Sequence, residues 1–522
     1  MTSDPRRINR DGMDPSGVAP DPTQYPERVL QIGEGRFLRG FADWLIQQLN
    51  QREVFQGGVV VIAPRASGGE NIRKLRAQDG RFTVKLQGLD EGRIVDRDEV
   101  ITVISRALDP VSEWRTVLST AENAEMALII SNTTEAGIEY RREVFETGRC
   151  PTSFPAKLAA YLYHRYQYFS GDPTRGMTVL PTELVEKNGD QLRAIVRHHA
   201  QDWELPISFI DWLMTANRFC NTLVDRIVTG YPEGTDAQTL SQRLGYLDAF
   251  YTVAEPFYLW AIEADARLRS LWPPDRLPQG IRFVEDVTPF QLTKVRILNG
   301  AHTALYPLAC LAGISTVAEA MNDKVLGPFV EHLVMDEIIS ALADPGPDLQ
   351  ESAMAASEPA NEDSSDEAMD QPLSLSVLQA YAETTFERFR NPFLHHQVSA
   401  LGLNNQAKIR ARLLGTVHDY ADRFGSAPPR LALSLAAHWI VTQDADEVSK
   451  AGPAGPRASQ SAATMEEGTR RVVDPVALWL AQSAVWGEDL TNIAGLLDQV
   501  VADVQAIRQN GVETAIQTIF PI

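Results

Sequence analysis

The chain has 522 residues, more than one hydrophobic core usually serves, so two domains or one heavily inserted domain are expected. Its formal net charge is −21 and no basic block interrupts it, which argues against nucleic acid and against an anionic membrane surface as partners. Cys150, Cys220 and Cys310 are too scattered for a disulfide framework or a zinc site, which fits a reducing, cytoplasmic setting.

Residues 1–25 are rich in Pro, Asp, Arg and Gly without apolar periodicity or the apolar core of a secretory signal, and are expected to be a disordered tail. A buried strand is predicted at 29–32, then a helix whose apolar stripe is Phe37, Leu38, Phe41, Leu45 and Leu49, then a strand at 59–62. Such a β-α-β start predicts a parallel sheet covered by helices. Residues 82–89 alternate, turn at Asp90-Glu91-Gly92 and resume, the pattern of an antiparallel hairpin inserted in the α/β domain. Further buried strands are predicted at 126–130 and 177–180, each running into a polar cluster, SNTTEAG and PTELVEKNG, where open α/β sheets collect ligands. This α/β domain is expected over 26–285.

From 286 to 522 the pattern is that of a mainly α-helical domain with two flexible insertions. Residues 344–372 hold nine acidic and no basic side chains, and 450–470 are rich in Gly, Ala and Ser. The acidic stretch is either a tolerated surface insertion or a docking tail for a basic partner.

Two segments carry chemistry. Gly33-Glu34-Gly35 lies between the first strand and the first helix, where glycines permit a tight turn and let backbone N–H groups approach a pyrophosphate. The dinucleotide fingerprint is partial: its third glycine would fall at Leu38, and the second strand runs into Ala63-Pro64-Arg65 instead of a ribose-binding acid. Arg65 is either a contact for a 2′-phosphate or a solvated side chain. The second segment, TPFQLTKVRILNGAHTALYP at 288–307, opens with the capping-box pattern Thr288-Pro289-x-Gln291, which predicts a helix start. On an α-helix Lys294, Asn299 and His302 fall at roughly 0°, 140° and 80°, within one face, and Gly300 keeps the backbone beside Asn299 narrow. The set is equally readable as a surface lysine beside a core histidine. The adjacent pairs His198-His199 and His395-His396 diverge on a helix and read as structural or solvated.

Five stretches in order, VLQIGEGRFLRGFADW at 29–44, ISNTTEAGI at 130–138, LVDRI at 223–227, AEPFYLWAIE at 254–263 and KVRILNGAH at 294–302, resemble the mannitol dehydrogenase family of polyol-specific long-chain dehydrogenases. That resemblance implies a Rossmann-type N-terminal domain, a mostly helical C-terminal domain, and metal-independent oxidoreductase activity with NAD, NADP not being excluded. It implies Lys294 as general acid/base, with Asn299 and His302 hydrogen-bonding the reacting oxygen. The candidate cofactor residues are Ile32, Gly33, Gly35, Arg36, Phe37, Arg65, Asn132, Thr133 and Glu135, and the candidate substrate residues are Asn188, Asp225, Arg388 and Lys408; Asp225, which matches the family's VDR aspartate, is equally readable as a structural salt-bridge partner. Asn217 and Thr229 depart from the family pattern, and Leu184 stands where an oxyanion-binding asparagine aligns, leaving Asn188 as its substitute.

Reducing a ketone needs a hydride, a proton and stabilisation of the developing oxyanion. Lys294 would donate the proton, provided burial or a nearby cation weakens its hold on it, while Asn299 and His302 are uncharged donors that need no metal. A uronate carboxylate would be held by cations, for which Arg388, Lys408 and Arg410 are available. The expected reaction interconverts a keto-hexuronate and its aldonate in a monomeric enzyme. The rivals are a sister enzyme acting on mannitol, fructose or fructuronate, a catalytically idle scaffold that keeps the cofactor fold and uses the acidic insertion, and a metal-dependent uronate isomerase.

Overall fold

The runs VLQI and GVVVI are buried at every position and, Gln31 apart, apolar, as strands covered on both faces must be, and they lie side by side in parallel. The computed structural model describes residues 7–8, 25–231, 237–343, 373–451 and 465–521, without the side chains at 135, 444–451 and 465–472. The acidic stretch 344–372 therefore lies outside the described residues. Two compact units divide at Val287 and Thr288.

In chain order the strands of the first unit are β1 (Glu27–Ile32), β2 (Gly58–Ile62), β3 (Phe82–Asp90), β4 (Arg93–Ile101), β5 (Ile104–Leu108), β6 (Leu128–Ser131), β7 (Thr178–Pro181), β8 (Arg218–Phe219), β9 (Thr222–Asp225), β10 (Val228–Gly230), β11 (Thr252–Ala254), β12 (Leu259–Glu263) and β13 (Ile281–Val284). Six form one sheet in the order β5-β2-β1-β6-β7-β8, every pair parallel. Renumbered within that sheet, the order is 3-2-1-4-5-6, the dinucleotide-binding arrangement, and its direction reverses between β1 and β6. The predicted hairpin is β3–β4, and it belongs to a separate sheet ordered β10-β11-β3-β4. A third sheet, β13-β12-β9, has no counterpart in the sequence reading.

The N-terminal tail differs from expectation at two residues. Arg7 pairs with Leu247, Ile8 N donates to Leu247 O at 3.0 Å, and the Ile8 side chain is fully buried.

The second unit contains no strand among its described residues. Helix Gly300–Leu311 packs on Pro429–Ala451, which in turn packs on Leu496–Asn510, around a core that includes Ala304, Leu308, Leu435 and Val504. Pro307 interrupts the first of these helices and has no N–H to give the Thr303 carbonyl four residues back. His438 supplies the missing donor, its Nε2 lying 2.9 Å from Thr303 O, and Ser434 Oγ donates to Ala304 O at 2.9 Å. Of the flexible insertion expected at 450–470, residues 450–451 and 465–470 are helical, and 452–464 lie outside the described residues.

Candidate active site

In the first unit the expected cofactor residues gather at the carboxyl edge of the parallel sheet. Gly33 N donates to Ile62 O at 3.0 Å and Asn132 N to Ile32 O at 3.2 Å, so the exits of β1, β2 and β6 are tied together. Gly33 has φ +136°, and a Cβ there would stand 2.7 Å from Leu38 Cδ1 and 3.0 Å from Asn132 O. Only glycine fits that turn. Gly35 is exposed and extended, and a Cβ there would meet nothing within 4 Å. It opens a helical run through Arg36–Leu38, the π-turn Arg39–Asp43 and Trp44–Gln51, leaving the first N–H groups of that run available. Ile32, Gly33, Gly35, Arg36 and Phe37 line this exit, Asn132 and Thr133 follow β6, and exposed Arg65 follows β2. Arg36 Nη1 donates to Thr229 O at 2.9 Å. Glu135 opens the short turn Glu135–Gly137, and its side chain lies outside the described residues. A dinucleotide fits this edge, with a Cβ-free turn and open helix-start amides at the point where strand order reverses.

Sequence reasoning missed what holds the edge in place. Glu183, 2% exposed, accepts Thr133 N and Thr133 Oγ1, each at 2.9 Å, and Ser131 Oγ at 3.0 Å. Burial pushes its carboxyl upward against these hydrogen bonds. Its signal was present in the polar cluster after β7. Asn132 Nδ2 donates to Thr182 O and Oγ1, both at 3.0 Å. Beneath the turn, Gln31 Nε2 reaches Gly33 O at 3.1 Å and Asp43 Oδ2 at 3.3 Å. Asp43 is wholly buried, and that burial raises its carboxyl from 3.8 to about 7 despite the Gln31 hydrogen bond and the charge of Arg39.

Two expected substrate residues lie in this unit. Asn188 is a correction: its Nδ2 donates to Pro181 O, Glu183 O and Thr222 O at 3.0–3.1 Å, and its Oδ1 accepts Gly189 N and Thr222 N at 2.9 Å. The amide is saturated by backbone and 1% exposed, so nothing remains for a substrate. Asp225 ends β9, is buried and stands opposite Leu259 of β12. Its neighbour Arg226 is structural: Nη1 donates to Gly40 O at 2.8 Å and the guanidinium lies 4.2 Å from the Trp44 ring centroid.

In the second unit the predicted helix begins at Thr288 but is not a regular α-helix. Lys294–Asn299 forms a π-turn before the α-helix Gly300–Leu311. Asn299 lies five positions after Lys294, the i→i+5 spacing of a π-turn, so the two succeed one another on one face rather than standing roughly 140° apart. Gly300 is not needed for clearance, since a Cβ there would meet its nearest neighbour, Arg412 O, at 3.5 Å. Arg296 ion-pairs with Asp419 at 2.9 Å.

His302 is 6% exposed, its ring 4.0 Å from that of Phe389 and 5.1 Å from that of His396. Burial, then the charges of His396, Arg388 and Arg412, hold the ring far below its ordinary pKa, against a hydrogen bond to the Leu298 carbonyl. Nε2 is buried without a partner among the described residues, so the bond to Leu298 is made by Nδ1–H. In a neutral ring that leaves Nε2 a bare lone pair. Arg388 is buried within electrostatic reach of His302, and Lys408 donates to Leu401 O at 2.9 Å beside His396. Two readings are thereby revised. His396, taken as structural or solvated, belongs to this cluster, and Arg410 lies instead against Gly487. Arg412, not singled out in the sequence, joins the set; only the helical spacing NQAKIRAR, which aligns it with Lys408, could have marked it.

Among the described residues no group of three or more His, Cys, Asp or Glu is arranged to hold a metal ion, and no helix is long and apolar enough to cross a membrane.

Residues 27–271 match the mannitol dehydrogenase Rossmann domain, and residues 286–358 and 360–508 match the mannitol dehydrogenase C-terminal domain. The altronate oxidoreductase of Klebsiella pneumoniae (strain 342) is 38% identical over 509 residues, covering 95% of this chain and 97% of that one. That of Bacillus subtilis (strain 168) is 38% identical, covering 95% of each. Among solved structures, D-sorbitol dehydrogenase in substrate-free form superposes with a TM-score of 0.70 at 18% identity, covering 95% of this chain and 96% of that one. Pseudomonas fluorescens mannitol 2-dehydrogenase, in a ternary complex with NAD and D-mannitol, superposes with a TM-score of 0.63 at 21% identity, covering 96% of each. At these identities the two structures speak to the fold.

Proposed function

The chain belongs to the mannitol dehydrogenase family, and we propose that within it the protein interconverts D-tagaturonate and D-altronate in hexuronate breakdown, with NAD(H) favoured and NADP(H) not excluded. It is an oxidoreductase acting on a CH–OH group. The observation that carries the substrate choice is the near-complete match, at 38% identity, to altronate oxidoreductases.

When bound, the nicotinamide cofactor supplies or accepts the hydride. Lys294 transfers the proton at the reacting oxygen, and Asn299, one π-turn further on, donates its amide N–H to the charge developing there. His302, with Nδ1 committed to Leu298, accepts a substrate hydroxyl at Nε2. Asp225 is retained as a substrate-side group; Asn188 is not. Arg388 and Lys408 supply positive charge for the sugar-acid carboxylate. A cytoplasmic setting is the accompanying reading, supported by three cysteines that are free of disulfides; the expected monomer is tested by size-exclusion chromatography with light scattering.

The test offers tagaturonate, fructuronate and fructose in parallel to wild type and Lys294→Ala, following NADH and NADPH oxidation by absorbance. Tagaturonate-dependent oxidation that the variant loses is the expected result. Preference for fructuronate or fructose would move the protein to a sister activity, and no oxidation with any substrate would sink the enzymatic reading.

A further inference from the structure

Helix Asn405–Arg412 carries Lys408 and Arg412 four residues apart, hence on one face, where like charges repel. Each is half-buried, and neither has a carboxylate within ion-pair distance among the described residues. Basic residues nearby are differently placed: Arg296 pairs with Asp419, Arg390 with Glu331, and His418 with Glu488. Lys408 has the Leu401 carbonyl at 2.9 Å, and Arg412 Nη1 reaches Thr303 Oγ1 at 3.3 Å. That hydroxyl already donates to Asn299 O at 2.9 Å, so Arg412 stands one hydrogen bond from the backbone of the helix bearing the oxyanion donor.

The surroundings supply a second, independent mark of a ligand. His302 Nε2 is wholly buried and has no partner among the described residues, and after burial itself it is the charges of His396, Arg388 and Arg412 that bear on this ring. Lys408 bears on His396, whose ring lies 5.1 Å from that of His302. Positive charge thus converges from Lys408 and Arg412 on a buried ring nitrogen with no partner among the described residues. A sugar acid satisfies both halves, a hydroxyl for the lone pair and a carboxylate for the cations.

We propose that Lys408 and Arg412 together clamp the substrate's terminal carboxylate, with Arg412 the residue that makes the site specific for acids over neutral sugars. The inference rests on the tagaturonate–altronate reading and deepens it. Binding an acid relieves the repulsion between the two cations, so altronate stabilises the protein where the neutral polyol altritol does not.

The test compares wild type, Arg412→Met, Arg412→Lys and Lys408→Met in steady-state reduction of tagaturonate and of fructose, with Arg410→Met as a control on the opposite face. Expected is a KM for tagaturonate raised roughly tenfold to a hundredfold in Arg412→Met, the loss for a hydrogen bond to a charged group, with a much smaller change in kcat. The ratio of kcat/KM for tagaturonate over fructose should fall by a similar factor, Arg412→Lys should recover part of it, and Arg410→Met should keep the wild-type KM. If Arg412→Met fails to fold, Lys408→Met and the thermal shift of wild type with altronate against altritol carry the test. Unchanged KM in both clamp variants, with wild type active, overturns the clamp alone, as does equal stabilisation by altronate and altritol. Loss confined to kcat also overturns it, assigning Arg412 to support of Thr303. A wild type inactive on tagaturonate overturns the function and the clamp together.

Discussion

Gly33 and Gly35 are two residues apart and make opposite demands, which a pair of alanine substitutions separates. At Gly33 a side chain must adopt φ +136° and place Cβ 2.7 Å from Leu38 Cδ1 and 3.0 Å from Asn132 O. The backbone strain costs about 1–3 kcal/mol. Leu38 can turn aside at a further cost of about 1 kcal/mol for an off-rotamer side chain. The Asn132 carbonyl has less freedom, because the Asn132 side chain is anchored to Thr182. A total near 2–4 kcal/mol should lower the melting temperature of Gly33→Ala by about 5–10 °C for a unit of this size. At Gly35 the backbone suits any residue and the added methyl meets no protein atom, so Gly35→Ala should melt with wild type. The methyl would instead occupy the space left for a pyrophosphate, and NADH affinity should fall by about tenfold or more, a loss near 1.4 kcal/mol. Differential scanning calorimetry and NADH fluorescence titration measure the two effects. A Gly33→Ala protein with wild-type melting and wild-type NADH affinity would refute the steric argument; Gly35→Ala with undiminished affinity would show that the phosphates pass elsewhere.

Asp43 is held neutral to about pH 7, so the stability carried by its protonated form is complete below 3.8 and is lost as pH rises through 7. Asp43→Asn stays neutral throughout, and its melting temperature relative to wild type should climb between pH 5 and pH 8; a constant difference would mean that Asp43 ionises freely in the fold. Asn188→Ala should cost about 2–4 kcal/mol by stranding buried backbone groups while leaving KM for tagaturonate unchanged, and a raised KM with normal melting would return Asn188 to the substrate. Removing residues 1–24 should destabilise the protein by about 1.5–3 kcal/mol, the burial value of one isoleucine, and urea denaturation unchanged by the truncation would contradict the docking of Ile8.

How much could be seen in the sequence depended on what each element buries. β1, β2, β6 and β7 are covered on both faces and stand out by their mainly apolar centres, and the long alternating hairpin announces itself. β9 to β13 have three to five residues each, too few for a period to emerge, and their pairing depends on partners far along the chain. The Lys294, Asn299 and His302 spacing was visible, but periodicity presumes i→i+4 bonding and could not show the π-turn. Nor could it show that His302 is buried against Phe389 and His396, with the Leu298 carbonyl accepting a hydrogen bond from its ring. Asn188 misled because a saturated amide and a reactive one are the same letter. Arg410 and Arg412 are equally basic, and only the fold sends one to Gly487 and the other to Thr303.

The π-turn at Lys294–Asn299 amounts to one residue inserted into a helix. Losing any single residue from 295 to 298 would let the segment relax to ordinary α-helix, swinging Lys294 by roughly 100° relative to His302 while Gly300–Leu311 kept its packing. Point substitutions between these positions preserve the offset, whereas one in-frame codon deletion abolishes it in a single step. On the proposed roles of these residues, the evolutionary fragility of this site is one of reading-frame length rather than of residue identity, and a lineage that kept Lys, Asn and His but shortened the segment would retain the fold and lose the proposed chemistry.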